Sequence, residues 1–207
     1  MPLLQKSAAP LWGIWKIGES WEELLALSER PDACLPFLNG CKADSRKAEW
    51  LAVRMILREL TGRETEIAYR TNGAPYLPDA PYHISISHTR GYAAVILHPD
   101  HPVGIDIEYR SERVRRVKSR FLTEAELRLA GENPGTVELL LCWSAKETAF
   151  KMTGQQFADW QKDIHILACD FSPEAGFLTV RETLTPQSVT CRIRYEVTPE
   201  FVLTRFP

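Results

Sequence analysis

The spacing of apolar residues along the chain predicts two long helices of similar length. Residues 42–61 repeat apolar side chains at the helical period, and Gly62 follows them as a natural C-terminal stop. Residues 135–152 show a second helical pattern, with Pro134 before its start and Gly154 after its end. We therefore expect each long helix to cover the core of its own part of the chain.

Shorter segments alternate apolar and polar residues, or are rich in β-branched and aromatic residues, as strands are. In the first half, strands are expected at residues 11–17, 65–70, 83–87 and 92–98. In the second half, they are expected at residues 103–109, 163–170, 176–182, 189–197 and 200–206. Ser20 and Glu23 form a capping box, which predicts a short helix over residues 20–30.

The segment HPDHP at residues 98–102 is the most linker-like part of the chain, because two prolines stand in a polar run. The order of strands and a long helix loosely repeats after it. The sequence therefore predicts an α+β fold of two similar halves, residues 1–99 and 100–207, each a long helix packed on an antiparallel sheet.

Composition narrows the class of protein. Of 207 residues, 44% are apolar and 25% are charged, which is typical of a globular protein and excludes a disordered or collagen-like chain. The formal net charge of −2 argues against a nucleic-acid-binding protein that is basic overall. Five cysteines without metal-site spacing, and the lack of a signal peptide or a membrane-length apolar run, predict a cytoplasmic protein with free thiols.

The segment VGIDIE at residues 103–108 places two carboxylates on one face of a strand, because side chains alternate between the faces. Asp106 and Glu108 are then roughly 7 Å apart along the strand, and they repel each other unless a positive group lies between them. A hard cation such as Mg²⁺ suits such oxygen ligands. The alternative is a solvent-facing acidic pair on an edge strand.

The second long helix is apolar around most of its circumference. Its polar residues Ser144, Glu147, Thr148 and Lys151 fall in one narrow sector, which must face solvent, a partner or a cleft. Glu147 and Lys151 could also form a plain exposed pair one turn apart. Lys146 lies outside this sector, and we expect it at the surface.

Residues 83–89 (HISISHT) predict a half-buried strand with Ser87 on its polar face and His88 at its end, before the turn at Gly91. The ends of strands often carry binding residues, whereas a lone histidine is more often structural.

Two groups of basic residues are further candidates. Arg46 and Arg54 lie on the first long helix, and residues 110–120 hold six basic residues against Glu112 alone. The second group could meet an acidic partner, although both groups are also typical of a solvated surface.

Taken in order, these motifs resemble the 4′-phosphopantetheinyl transferase superfamily, specifically its Sfp-type (group II) enzymes. The resemblance runs from about Arg46 to Lys151. It is carried by the segments ISISHT at 84–89, VGIDIE at 103–108, RFLTEAE at 120–126 and WSAKETAFK at 143–151.

The resemblance implies an enzyme that transfers the 4′-phosphopantetheine group of coenzyme A to a serine of an apo acyl or peptidyl carrier protein. This holo-carrier-protein synthase activity would depend on Mg²⁺ and release 3′,5′-ADP, in fatty acid, polyketide or nonribosomal peptide biosynthesis. Family members of this length are pseudodimers with the active site between the halves, which suggests a monomer. Their carrier proteins are generally acidic.

The resemblance also implies roles for individual residues. The implied metal ligands are Asp106, Glu108 and Glu147. Glu147 would be the general base for the carrier serine, directly or through water, and Lys151 would neutralise or protonate the departing 3′,5′-ADP. The implied contacts with coenzyme A are those of Arg46, Arg54, Ser87, His88 and Lys151. An acidic carrier protein would dock near Arg113, Arg115 and Arg116.

One departure from the family pattern bears on coenzyme A binding. The family usually has a G-K-P segment whose lysine contacts the nucleotide, whereas residues 72–75 are NGAP, with Ala74 in place of the lysine. Arg70 or Arg90 could substitute. Two alternatives stay open: a catalytically weak homologue that binds carrier protein, which only Ala74 supports, and a Mg²⁺-dependent phosphohydrolase. A nucleic-acid-binding domain that uses residues 110–120 is disfavoured by the nearly neutral charge.

Overall fold

The computed structural model describes residues 3–8 and 10–206. The strands are β1 (Leu3–Ala8), β2 (Leu11–Lys16), β3 (Ala68–Tyr69), β4 (Pro75–Tyr76), β5 (His83–Thr89), β6 (Tyr92–His98), β7 (Gly104–Tyr109), β8 (Ile164–Asp170), β9 (Ala175–Glu182), β10 (Thr190–Val197) and β11 (Phe201–Phe206). The α-helices are α1 (Trp21–Ala26), α2 (Pro31–Gly40), α3 (Asp44–Thr61), α4 (Arg113–Val117), α5 (Glu124–Leu129) and α6 (Thr136–Thr153), and a 3₁₀ turn covers Lys118–Arg120.

Two antiparallel sheets organise the molecule. The first has the strand order β1-β2-β6-β5 and packs against α3, and the second has the order β7-β11-β10-β9-β8 and packs against α6. Strands β3 and β4 form a small separate hairpin. The prediction of an α+β fold, with two halves that each pack a long helix on an antiparallel sheet, is confirmed.

Both long helices form where the apolar periodicity predicts them, and each ends at a glycine. Gly62 and Gly154 adopt φ of 78° and 65°, a left-handed conformation that costs glycine little. Ser20 and Glu23 form the expected capping box at the start of α1. Within the described residues, none of the helices has the length and apolar character that a membrane span requires.

Strand β1 and helix α2 are among the elements that were not predicted from the sequence, and two predicted elements are clearly shorter in the structure. Strand β1 lacks clean alternation, and it is held by its pairing with β2. Helix α2 begins with Pro31 at its first turn and contains Pro36, so its composition is unlike that of a helix. The short helix expected over residues 20–30 ends at Ala26, and the strand expected at residues 65–70 is reduced to β3.

The two sheets meet where β5 runs beside β7. There, side-chain hydroxyls of β5 accept hydrogen bonds from backbone amides of β7 at every second residue. The bonds run from Ile105 N to Ser85 Oγ (3.2 Å), from Ile107 N to Ser87 Oγ (3.3 Å) and from Tyr109 N to Thr89 Oγ1 (3.1 Å). This row of hydroxyls brings the end of β5 next to the carboxylates of β7.

Candidate active site

A cleft of about 1010 Å³ is lined by residues of α3, the β3–β4 hairpin, β5, β7 and α6. The eight residues singled out from the sequence for metal binding, catalysis or coenzyme A binding all line it: Arg46, Arg54, Ser87, His88, Asp106, Glu108, Glu147 and Lys151. The structure therefore brings these eight side chains to one place, and the role of each stays a prediction.

Asp106 lines the cleft and is only 4% exposed. Its Oδ1 accepts hydrogen bonds from Lys151 Nζ (2.7 Å) and Ser87 Oγ (2.8 Å). Its Oδ2 is buried and receives no hydrogen bond from the described residues. A buried carboxylate oxygen without a donor is costly, so this atom is suited to an additional positive group.

A glycine makes the close approach of α6 to β7 feasible. A Cβ atom at Gly104 would collide with the carbonyl oxygen of Thr148, so a larger residue would push the helix away from the strand. Because Glu147 and Lys151 lie on this helix, the glycine also sets how near they come to Asp106. The G-x-D spacing of the sequence thus combines a packing requirement with a chemical one.

Two further carboxylates share the cleft with Asp106. Burial, with Asp106 as the second cause, raises the pKa of Glu108 to about 7. The same two causes raise the pKa of Glu147 to about 7, and Lys151 opposes the shift. Trp143 Nε1 donates a hydrogen bond of 2.9 Å to Glu108 Oε1, which orients that side chain.

These three carboxylates fit a hard cation by their chemistry. They offer oxygen atoms only, they repel one another, and Asp106 Oδ2 has no donor among the described residues. In the conformations described, residues 3–8 and 10–206 contain no group of three histidine, cysteine, aspartate or glutamate side chains already arranged as a metal site. The predicted ligands therefore share a cleft without forming a closed coordination shell.

Basic side chains line the same cleft as these carboxylates. Arg46 contacts His88 Nε2, and Glu49 Oε2 lies 3.2 Å from His88 Nδ1 and 3.4 Å from Arg46 NH1. Burial lowers the pKa of His88, with a further lowering by Arg46 and an opposing effect of Glu49. Glu49 was not among the residues predicted from the sequence, because a carboxylate between basic residues on a helix is typical of a solvated face.

Arg54 is a second cation of the cleft and is packed on aromatic rings. Its guanidinium lies 3.0 Å from the centroid of the Trp50 ring, which in turn stacks on Phe37 at 4.5 Å. Burial lowers the pKa of Arg54 to about 10. A solvated position for Arg54 is therefore wrong, and the residue is a partly buried charge that faces the cleft.

Comparison with known families agrees with this arrangement. The model of the 4′-phosphopantetheinyl transferase superfamily matches residues 102–203, and the model of the 4′-phosphopantetheinyl transferase N-terminal domain matches residues 40–98. The chain belongs to the 4′-phosphopantetheinyl transferase superfamily. A search of curated proteins found no match. Residues 99–101, between β6 and β7, separate the two matched regions. Membership of this family supports a transferase activity.

Helix α6 differs from the sequence prediction at Lys146. This residue is 0% exposed, and its Nζ donates to Glu126 Oε1 (2.7 Å), to Phe121 O (2.7 Å) and to Trp160 O (2.6 Å). The expectation of a surface lysine is wrong, because segments around Phe121 and Trp160 cover the side of α6 that faces away from the sheet.

The polar sector of α6 is divided between the cleft and the core. Glu147 and Lys151 line the cleft, as expected, and Lys151 pairs with Asp106 across it. Ser144 and Thr148 are instead fully buried, and their hydroxyls lie 2.8 Å and 2.6 Å from Thr204 Oγ1. Buried hydroxyls need hydrogen-bond partners, and Thr204 on the facing strand β11 supplies one for both Ser144 and Thr148.

The structure also locates Ala74, the residue that departs from the family pattern. Ala74 and Arg70 both line the cleft from the β3–β4 hairpin. The guanidinium of Arg70 is 4.9 Å from the Tyr76 ring, and that of Arg90 is 5.5 Å from the Tyr109 ring. Of the two arginines that could substitute for a lysine at position 74, Arg70 is the one that lines the cleft.

The raised pKa of Glu147 predicts how the stability of the metal-free protein depends on pH. Because the folded state holds the Glu147 proton more tightly than the unfolded state, its contribution to stability is fully present below pH 4.5 and is lost as the pH rises through about 7. In EDTA, we expect Glu147→Gln to be more stable than the unsubstituted protein by about 1–3 kcal/mol at pH 8.5, and nearly equal to it at pH 5.

Urea unfolding at both pH values measures this difference. Glu132→Gln, at an exposed position outside the cleft, is the matched control and should follow the unsubstituted protein at both. A Glu147→Gln variant with an unchanged pH profile would show that Glu147 ionises freely in the cleft.

Proposed function

We propose that this protein transfers the 4′-phosphopantetheine group of coenzyme A to a serine hydroxyl of an apo acyl or peptidyl carrier protein, in a Mg²⁺-dependent reaction that releases 3′,5′-ADP. The observation that carries the proposal is the division of charge in the cleft. Asp106, Glu108 and Glu147 line the cleft close enough for Asp106 to raise the pKa of the other two, while Arg46, Arg54 and His88 supply basic groups suited to phosphates. A pyrophosphate ester attached to a nucleotide needs both groups.

In this proposal Asp106, Glu108 and Glu147 would hold Mg²⁺ in the cleft that binds coenzyme A. When bound, the ion neutralises pyrophosphate oxygens and so stabilises the charge that develops during phosphoryl transfer. Lys151 and Ser87 orient the Asp106 carboxylate by donating hydrogen bonds to Oδ1. Oδ2 has no donor among the described residues and is therefore the oxygen proposed to face the ion.

The remaining chemistry is a substitution at phosphorus. The carrier serine oxygen forms a bond to the phosphorus that bears pantetheine, and the bond from that phosphorus to the bridging oxygen of the pyrophosphate breaks. Glu147 is the proposed acceptor of the serine proton. Lys151 is the proposed cation that neutralises or protonates 3′,5′-ADP as it leaves. Arg46, Arg54, Ser87 and His88 are proposed to bind the phosphates of the nucleotide end.

A transfer assay tests this function directly. The protein is incubated with coenzyme A, Mg²⁺ and a panel of apo carrier proteins, and the carriers are weighed by mass spectrometry. A mass gain of one phosphopantetheine group on a carrier supports the proposal. Hydrolysis of coenzyme A without any carrier would instead indicate a phosphohydrolase, and carrier binding without a mass gain would indicate a catalytically weak homologue.

The docking surface for the carrier is proposed to be the basic segment that contains Arg113, Arg115 and Arg116. Exposed Arg115 pairs with Glu112 at 2.6 Å, and Arg113 and Arg116 are exposed. Because rim charges mainly steer encounter, the double variant Arg115→Glu and Arg116→Glu should raise the KM for an acidic carrier about three- to tenfold at low salt.

Steady-state kinetics at low and high salt measure this effect. The variant should also show a weaker salt dependence, and its KM for coenzyme A should hardly move. The matched control is Arg128→Glu, an exposed arginine on α5 outside this segment. A carrier KM that stays unchanged at low salt would eliminate the segment as the docking surface.

At position 74 we expect a substitution that strengthens the binding of coenzyme A. Ala74→Lys adds a cation to the cleft beside the proposed nucleotide end, so the KM for coenzyme A should fall about three- to tenfold while kcat stays constant. The corresponding loss of charge, Arg70→Gln, should raise that KM. Steady-state kinetics with the coenzyme A concentration varied measure both changes in KM. An unchanged KM in Ala74→Lys would mean that Arg70 already supplies the cation that contacts the nucleotide.

A further inference from the structure

A single carboxylate joins two of the basic groups that line the cleft. Glu49 Oε2 lies 3.2 Å from His88 Nδ1 and 3.4 Å from Arg46 NH1. Arg46 NH1 contacts His88 Nε2 closely and lies 3.4 Å from Nδ1. The Glu49 side chain is mostly buried and lines the cleft with the other two residues. The resulting cluster of Arg46, Glu49 and His88 joins α3 to the end of β5.

These contacts determine which ring nitrogen of His88 carries the proton. A guanidinium can only donate hydrogen bonds, so the nitrogen that Arg46 approaches more closely, Nε2, must accept. We expect the proton of the neutral ring on Nδ1, because Glu49 Oε2 lies 3.2 Å from that nitrogen and a carboxylate can only accept. The partner of one ring nitrogen thus sets the state of the other, as in other histidines held by a carboxylate.

We propose that Glu49 is a positioning residue that holds His88 as the Nδ1–H tautomer and presents Nε2 to the anionic end of the substrate. The inference deepens the proposed function and rests on it for the identity of the substrate. Among the described residues Glu49 makes no hydrogen bond or ion pair with the carboxylates of the cleft, so it acts through His88 and Arg46.

A consequence is that binding of a phosphate takes up a proton. A bare Nε2 and a phosphate oxygen are both acceptors, so they attract each other only when Nε2 gains a proton from solvent and donates it to the phosphate. The charged groups that face His88 are Glu49 and Arg46 from α3, Lys151 from α6 and Asp106 from β7. Glu49 stabilises the charged ring, and the phosphate draws Arg46 away from it.

The ligand-free protein provides the first test, because the tautomer does not depend on any activity. Nitrogen-15 spectra of the histidine rings at pH 8, with His88 assigned through His88→Gln, should show a protonated Nδ1 and a bare Nε2. Glu49→Leu should move a large share of the ring to the Nε2–H form, while Glu49→Gln, which keeps an acceptor, should retain Nδ1–H. A bare Nδ1 in the unsubstituted protein, or an unchanged spectrum in Glu49→Leu, overturns the proposal.

The second test follows the proton. Calorimetric titration with coenzyme A at pH 8, in two buffers of different ionisation heat, should show uptake of nearly one proton, and Glu49→Leu should abolish most of it. The KM for coenzyme A should rise about tenfold in Glu49→Leu with less than a twofold change in kcat. Glu59→Gln, on the same helix outside the cleft, should match the unsubstituted protein. If coenzyme A does not bind at all, the proposed function fails, and the spectra still decide the role of Glu49.

Discussion

Glu147→Gln and Asp106→Asn should each reduce transfer to a carrier protein by at least about a thousandfold while the protein remains folded. Both substitutions remove a charged oxygen from the cluster that is proposed to hold Mg²⁺, so the developing negative charge of the transition state loses its compensation. Neither substitution changes the volume of the side chain. The two differ in their expected effect on stability, because their surroundings differ.

Asp106 is buried and paired with Lys151 at 2.7 Å, so Asp106→Asn leaves a lysine without its counter-charge and should cost about 2 kcal/mol. Glu147 repels Asp106, so Glu147→Gln should not destabilise the fold. The mass-spectrometric transfer assay and urea unfolding measure the two quantities separately. Glu138→Gln, on the same helix but outside the cleft, should leave transfer unchanged. Near-normal turnover of either cleft variant at saturating Mg²⁺ would contradict the metal assignment.

The carboxylates of the cleft could be located from sequence because local periodicity places them. The two-residue period of β7 turns Asp106 and Glu108 away from buried Ile105 and Ile107, and the structure has the same alternation. A helical period likewise brings Glu147 to the cleft. These are properties of single elements, which a sequence determines over a few residues.

The periodicity of single elements could not predict the contacts between the two halves. The hydroxyls of Ser85, Ser87 and Thr89 accept amides of a strand that lies about twenty residues further along the chain, and nothing local to either strand indicates that pairing. Within the first half, Glu49 on α3 meets His88 on β5 across thirty-nine residues, and this contact has no local signal either. Such pairs depend on how the sheets are placed, so their residue types alone favour a solvated helix face or a plain strand.

The burial of Lys146, on the side of α6 that faces away from the sheet, could not be predicted from the sequence either. A lysine on a helix is nearly always solvated, and burial of its charge requires partners that a helical pattern cannot show. The partners come from three segments: Glu126 on α5, Phe121 before it and Trp160 after α6. Glu126 in turn accepts hydrogen bonds from Thr123 and Ile166, so the pair joins α5, α6 and β8.

Lys146→Met is the substitution for which we expect the largest loss of stability, about 3–5 kcal/mol. Methionine fills most of the volume but leaves the Glu126 carboxylate buried without its counter-charge, and leaves Phe121 O and Trp160 O without a donor. A loss of this size is within the total stability of a typical domain, so the variant should still fold. The double variant Lys146→Met and Glu126→Gln should recover part of the loss, because no unpaired charge stays buried.

An exposed ion pair provides the contrast that makes the prediction specific to burial. Lys162 pairs with Asp159 at 3.0 Å, and its side chain is 81% exposed, so Lys162→Met should change the free energy of unfolding by less than about 0.5 kcal/mol. Urea unfolding of both variants at one pH compares pairs of similar length in different surroundings. If Lys146→Met cost no more than Lys162→Met, the amine of Lys146 would have to reach solvent, and the packing of Phe121 and Trp160 over α6 would be wrong. A large loss in Lys146→Met alone would establish that α6, and with it Glu147, is held from the side opposite the sheet.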